Sequence, residues 1–307
     1  MQHQSARVSG IALVDLTSGE SFPCAPAGSV LMSSVPLGWR GIVVECHLLA
    51  PRELPEHYVV GHGVSVSTSK RSIPFGWRGG KGWRAGVINP GEFHLLTHGA
   101  PNAPRWLQAF DQMSLVLDRR FVADLVRDGL PAERVEFATQ RSARDPTIAR
   151  YARAFRNELA AGGVNGLLYA ETLAVGFALH LLSRYAVARP TIPLPRGRLN
   201  PSQLHTVVDY IQSHLDGDAS LLAVAEQANV SPFHFARQFR TTVGIAPHQF
   251  ILRQRIHKAI GLIEAGKLPL AQVAVECGFH DQPHFTRAFR KLIGTTPAAY
   301  GGGRRLG

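Results

Sequence analysis

Cysteine is scarce in this chain. Cys24, Cys46 and Cys277 stand far apart and are odd in number, so neither a disulfide framework nor a zinc-binding spacing is indicated. Long apolar runs are missing too. The longest uncharged one, Leu173 to Leu182, is too short to cross a bilayer, and the N-terminus lacks the apolar stretch of a signal peptide. A reduced, cytoplasmic location with no membrane partner is the resulting expectation. No nucleophile beside its base, no phosphate loop and no paired-carboxylate site stands out, which argues against an enzyme. Most telling is where acid is absent. Gln227 to Ile263 holds no Asp or Glu but carries Arg237, Arg240, Arg253, Arg255 and Lys258. Gln282 to the C-terminus again holds none, with Arg287, Arg290, Lys291, Arg304 and Arg305.

What is present fills 307 residues, 45% of them hydrophobic, enough for two domains with full cores. The net charge of +11 favours a polyanionic partner. It is not piled up at one end, since residues 199–307 hold eleven Lys and Arg against seven Asp and Glu. The acid-free windows are therefore the more informative feature.

Leu270 to Tyr300 reads as helix, tight turn, helix. Val273, Ala274 and Cys277 share an apolar face, Gly278 closes the first helix, and Phe279 plugs the corner. Asp281 is placed to cap a second helix by accepting its free amide protons. That helix buries Phe285 and Phe289 and is expected to send Gln282, His284, Arg287, Arg290 and Lys291 outward. Gly294 and Pro297 end it. Leu221 to Phe250 repeats the segment at an offset of 49 residues, then 50 after a one-residue insertion at His280. Val224-Ala225, His234-Phe235, Arg237, Phe239, Arg240, Gly244 and Pro247 match Val273-Ala274, His284-Phe285, Arg287, Phe289, Arg290, Gly294 and Pro297. A fold and a surface have been duplicated together. Between the copies Pro247 to Ala265 forms a third helix, a rod of roughly 28 Å at ~1.5 Å per residue. Major-groove faces on one side of DNA lie ~34 Å apart, so such a rod suits two recognition helices about one turn apart on a duplex with some bend.

Residues from about Leu199 to Tyr300 resemble the DNA-binding domain of the AraC/XylS family of bacterial transcription regulators. The residues that carry the likeness are Val273-Ala274, Gly278-Phe279, Asp281, Phe285, Arg287, Phe289 and the Gly294-Thr295-Thr296-Pro297 run with Tyr300. The resemblance implies seven helices with two helix-turn-helix subdomains, double-stranded DNA as partner, and RNA polymerase as a further one. Pro283 stands where the family often has Ser or Thr, and His284 where it usually has an aromatic residue. By position, Phe233, Ala236 and Arg237 in the first recognition helix and Gln282, His284 and Arg287 in the second are expected at base edges. Ser231 as a cap, His234, Arg240, Arg290 and Lys291 are expected nearer the phosphates.

Residues 1 to about 120 are β-rich. Gly41–Leu49, Tyr58–Ser67, Trp83–Ile88, Phe93–Thr97 and Trp106–Leu117 have strand composition, and Asn89-Pro90-Gly91-Glu92 is a turn. Together with the domain order, that turn resembles the cupin-like effector domains of the same family, a jelly roll or barrel. His57, His62, His94 and His98 do not fall into a ligating pattern, so no metal or other cofactor is expected. Trp77, Trp83, Arg84 and Phe93, with Phe75 and Trp106, are candidates for lining a small-molecule effector pocket, or else are plain sheet core. Arg71, Arg78, Lys81 and Arg84 cluster nearby, as an anionic ligand or an exposed basic loop would have it.

From Arg119 the pattern turns helical. Asp145-Pro146 starts a helix with Ile148, Tyr151, Ala152, Phe155 and Leu159 on one stripe, broken by Gly162-Gly163. Asn165 to Ala186 is apolar nearly all round and must be buried, by a domain core or by a subunit contact. The family resemblance favours a homodimer through 165–186. Val187 to Arg198 carries three prolines and reads as a linker. The fold class expected is α+β: a β-rich cupin-like domain with a helical hairpin over 1–186, a linker over 187–198, and an all-α domain over 199–307. Its helix-turn-helix repeats lie at 221–250 and 270–300. The expected function is a sequence-specific DNA-binding transcription regulator that responds to a small molecule or partner. The alternative is a metal-dependent cupin-type enzyme carrying a DNA-binding appendage.

Overall fold

The structure, a computed structural model, describes residues 9–79, 82–126, 135–188, 197–217 and 219–302. Most of the expected linker, 189–196, lies outside the described residues, as do Lys81, Arg304 and Arg305. The chain divides into two compact units, one of residues 1–160 and 176–192, the other of 161–175 and 193–307. The expected boundary thus shifts: 161–175 groups with the C-terminal unit rather than with the N-terminal one.

The first unit holds thirteen strands among its described residues. One sheet has six: β3 (Val30–Ser33), β4 (Ile42–Leu49), β7 (His62–Ser67), β10 (Phe93–Leu96), β12 (Phe110–Leu117) and β13 (Gln140–Ala143), in the order β13-β10-β7-β12-β4-β3. A four-stranded sheet orders β5 (Arg52–Glu53), β11 (Pro104–Trp106), β8 (Ile73–Gly79) and β9 (Gly82–Ile88) as β5-β11-β8-β9. A third sheet places β1 (Ala12–Asp15) between β2 (Ser21–Pro23) and β6 (His57–Val59). All the pairings are antiparallel. Strand β4 is covered on both faces. Side chains alternate along a strand, so Val43, Glu45, His47 and Leu49 share one face and Ile42, Val44 and Cys46 the other. Paired β12 sets Ser114 opposite Glu45 and Gln112 opposite His47. Two expected strands are each divided. Tyr58–Ser67 breaks at Gly61, whose φ of +115° and 2.6 Å approach of a notional Cβ to the Leu117 carbonyl leave room for glycine alone. Trp106–Leu117 breaks before Phe110, and Leu107 points outward.

Helix α1 (Arg119–Asp124) follows β12, and α2 (Pro146–Ala160) starts where expected. Asp145 caps α2, accepting from the amides of Thr147 and Ile148, and also from His180 Nε2 at 2.7 Å and Tyr185 Oη at 2.8 Å. Burial alone would raise this carboxyl, but those four hydrogen bonds hold it down at about 2. Helix α3 (Leu167–Tyr185) buries Leu168, Ala174, Phe177, Leu181 and Leu182 within the single chain, so its apolar girth needs no second copy to leave water.

Among its described residues the second unit contains seven further helices: α4 (Pro201–Ser213), α5 (Leu221–Gln227), α6 (Pro232–Val243), α7 (Pro247–Ala265), α8 (Leu270–Glu276), α9 (Gln282–Ile293) and α10 (Pro297–Gly302). Asn200 caps α4 in a reciprocal box with Gln203. The duplication extends to the turns. Asn229 after α5 and Gly278 after α8 both take left-handed backbone, at φ +52° and +73°. In both turns the next amide, Val230 or Phe279, returns to the carbonyl of Ala225 or Ala274. Glycine is required at 278, where a Cβ would come within 2.2 Å of the Leu215 carbonyl.

Candidate nucleic-acid interface

Each recognition helix is anchored by the same device. Ser231 Oγ accepts from the His234 amide at 3.4 Å, and the Asp281 carboxylate accepts from the His284 amide at 2.6 Å. That amide bond is the main reason the Asp281 carboxyl titrates below its ordinary range. Left-handed glycines, Gly244 and Gly294, stop the two helices after twelve residues each. Phe235, Phe239, Phe285 and Phe289 are fully buried and fix which faces remain outside.

On those outer faces Arg237 and Arg240 of α6, and Gln282, Arg287, Arg290 and Lys291 of α9, are exposed. Ser231, His234 and Ala236 are half-buried. The Phe233 side chain lies outside the described residues. His284 departs from expectation. It is buried, packs edge-on against Phe279 at 5.4 Å, and burial holds its imidazole toward the neutral form. The reason is the width of the buried stripe, since Ala288, four residues on, is buried beside Phe285 and Phe289. The sequence held that signal in Ala288, and in the resemblance, which puts an aromatic residue at position 284.

Not every cation of the acid-free windows is free for a ligand. Arg255 donates from Nε to the Leu215 carbonyl at 3.0 Å and from Nη2 to the Gly217 carbonyl at 2.9 Å. Lys258 Nζ reaches the Glu276 carbonyl at 2.6 Å. Both satisfy carbonyls just past or at helix ends, where cations are favoured. Within the same unit, Arg287 Nη2 donates to the Gly162 carbonyl at 3.4 Å and Lys291 Nζ to Asn165 Oδ1 at 2.6 Å. Leu221 at the start of α5 donates its amide to Glu171 at 2.8 Å. The segment that groups unexpectedly with this unit is thus hydrogen-bonded to both copies of the repeat.

The first unit encloses a cavity of about 820 Å³, counting its open mouth. Apolar Leu13, Val64, Phe75, Trp106 and Phe110 line it, with His47, His57, His94, Gln112 and Ser114 among its polar groups. Phe75 and Trp106 are where the pocket expectation put them. Trp77, Trp83, Arg84 and Phe93 are not among the lining residues. Trp77 packs against the core from its edge, and Trp83 stacks under the Arg105 guanidinium at 4.4 Å. Arg84 is exposed, and Phe93 is buried against Tyr185. Alternation explains the miss: β9 is largely exposed, and only the register of β8 and β11 decides which aromatics turn inward. Among the four histidines, His62 meets Thr97, His98 accepts from the Gly61 amide, and His57 meets the Pro55 carbonyl. His94 lines the cavity, with burial pushing its imidazole down to about 4.

The helix-turn-helix domain family matches residues 224–302. The chain is 39% identical over 92 residues to the probable transcriptional regulator LumQ of Photobacterium leiognathi, covering 30% of this chain and 37% of that protein. It is 32% identical over 108 residues to the MmsAB operon regulatory protein of Pseudomonas aeruginosa, covering 35% of this chain and 34% of that protein. The match therefore spans little more than a third of the length of either relative. With the arabinose operon regulatory protein of Salmonella typhimurium it shares 28% identity over 219 residues, 71% of this chain and 74% of that protein. Among described residues, no helix is long and apolar enough to cross a membrane. A duplicated, capped helix-turn-helix with matching residues at the matching positions makes residues 224–302 a helix-turn-helix domain similar to those of AraC/XylS-type regulators.

Proposed function

We propose that the chain is a sequence-specific, double-stranded-DNA-binding regulator of transcription that acts in the cytoplasm. The observation that carries this reading is the repeated placement of exposed arginines: Arg237 and Arg240 on α6 recur as Arg287 and Arg290 on α9, above identical phenylalanine cores. Two such helices joined by the nineteen-residue α7 suit consecutive major-groove faces. Base-edge contacts fall to Arg237, Gln282 and Arg287, and phosphate contacts to Arg240, Arg290 and Lys291. Relatives named as operon regulators support a non-catalytic role. The β-rich unit is a cupin-like effector domain in this reading, and its apolar cavity suits a small molecule with a polar end. A homodimer through 165–186 and contact with RNA polymerase belong to the same reading by family resemblance. The test is selection of bound fragments from random-sequence DNA by the full chain. A recovered motif with two elements about one helical turn apart is expected. Fragments without a shared motif would sink the proposal.

A further inference from the structure

We propose that Cys24, Glu45 and His47 form a binding site for a divalent metal ion of the zinc class, with its remaining position open to the cavity of the β-rich unit. Their ligating atoms all lie within 4.8 Å of one another. His47 Nε2 is 3.0 Å from Glu45 Oε2 and 3.9 Å from Cys24 Sγ. Donors that share a tetrahedral ion at ~2.0–2.3 Å stand roughly 3–4 Å apart, and a Cys, His and carboxylate set is one that zinc accepts.

The geometry argues against the other use of these residue types, a thiol activated through histidine by an acid. In such a relay the carboxylate engages one ring nitrogen and the nucleophile the other. Here Glu45 and Cys24 converge on the same nitrogen, Nε2, while Nδ1 faces Ser114 Oγ at 3.5 Å. Convergence on one point is what a cation needs, and the free Nδ1–H has its acceptor in place. The carboxylate is also held from behind. Ser33 Oγ and the Gly10 amide donate to Oε1 at 2.9 Å each, and Ser9 Oγ donates to Oε2 at 2.5 Å. Outer partners of this kind orient metal ligands and are worth about 10- to 100-fold in affinity. Glu45 and His47 are almost wholly buried, so the group is no solvated acidic patch. Cys24 and His47 line the cavity while Glu45 does not, which puts the open position on the cavity side. Three protein ligands and a vacant place make a site that can take a further donor from a small ligand.

The proposal is independent of the DNA-binding reading, and cobalt(II) alone serves as probe. The full chain, stripped with chelator, is titrated with cobalt(II) while thiolate-to-metal charge-transfer absorption is followed and bound metal is counted after dialysis. One equivalent per chain is expected, with an absorption band that vanishes in Cys24→Ala and in His47→Gln but survives in Cys46→Ser, whose thiol lies on the opposite face of β4. Ser33→Ala should keep the band and weaken binding about 10- to 100-fold. Circular dichroism of each variant identifies any that fails to fold, and Ser33→Ala, which removes no ligand, then carries the test. Absence of stoichiometric binding, a band that persists in folded Cys24→Ala, or unchanged affinity in Ser33→Ala would each overturn the site.

Discussion

The two helix-turn-helix copies share a core and differ at their rims. Phe235 and Phe239 repeat as Phe285 and Phe289, and a left-handed turn residue stands in each. The first copy caps its recognition helix with neutral Ser231, the second with the carboxylate of Asp281. His234 is half-buried where His284 is buried. In the second copy, two cations of the outer face hydrogen-bond to the 162–165 segment. Duplication has preserved what folding requires and let the readout surface diverge. In the proposed complex with DNA, the two copies would therefore make different base contacts.

The largest effect tests the shared core. Phe239→Ala and Phe289→Ala should each cost about 3–5 kcal/mol, read from denaturant unfolding of the full chain. A much smaller loss in one would end the equivalence of the two cores. Next come the outer arginines. Arg237→Ala and Arg287→Ala should each remove about 1–3 kcal/mol of discrimination between bases, measured by competition between selected and random DNA. The Arg287 effect should be the smaller, because that side chain must leave the Gly162 carbonyl before it reaches DNA. Equal losses on both DNAs for either variant would move that arginine from base readout to the phosphates.

Caps sharpen the contrast further. Ser231→Ala and Asp281→Ala should each cost about 1 kcal/mol, yet only one cap titrates. Asp281 has a folded pKa below its unfolded one, so its contribution is complete above the ordinary carboxylate range of about 4 and is lost as pH falls through the folded value. On acidification the protection of the amide against hydrogen exchange, relative to its intrinsic rate, should fall at His284 while that at His234 holds. Parallel behaviour would remove the distinction between the caps. The smallest effect concerns His284 itself. His284→Phe fills the same buried place and should shift stability by less than about 1.5 kcal/mol without altering the selected motif. A changed motif would return His284 to the base edges.

The helices of the second unit were legible because their signals are local. Ser231 and Asp281 cap where expected, and Gly244, Gly278 and Gly294 stop the chain where expected. The β-rich unit was only half legible. Strands β1, β2, β3, β5 and β13 have two to four residues, too few for alternation to register, and β8 hides behind Pro74 and Gly76. The metal-binding group was invisible for the same reason: Cys24 and Glu45 are 21 positions apart and meet only through sheet packing.

By itself, then, the chain's order of residues determined the duplication, the helix limits, the phenylalanine cores and the basic outer faces, because each depends on neighbours within a turn or two. Tertiary structure alone decided that Arg255 and Lys258 serve helix-end carbonyls and which aromatics face the cavity. The cation contacts reach partners 18 to 40 positions distant, and a side chain's local pattern carries no record of what will be packed against it.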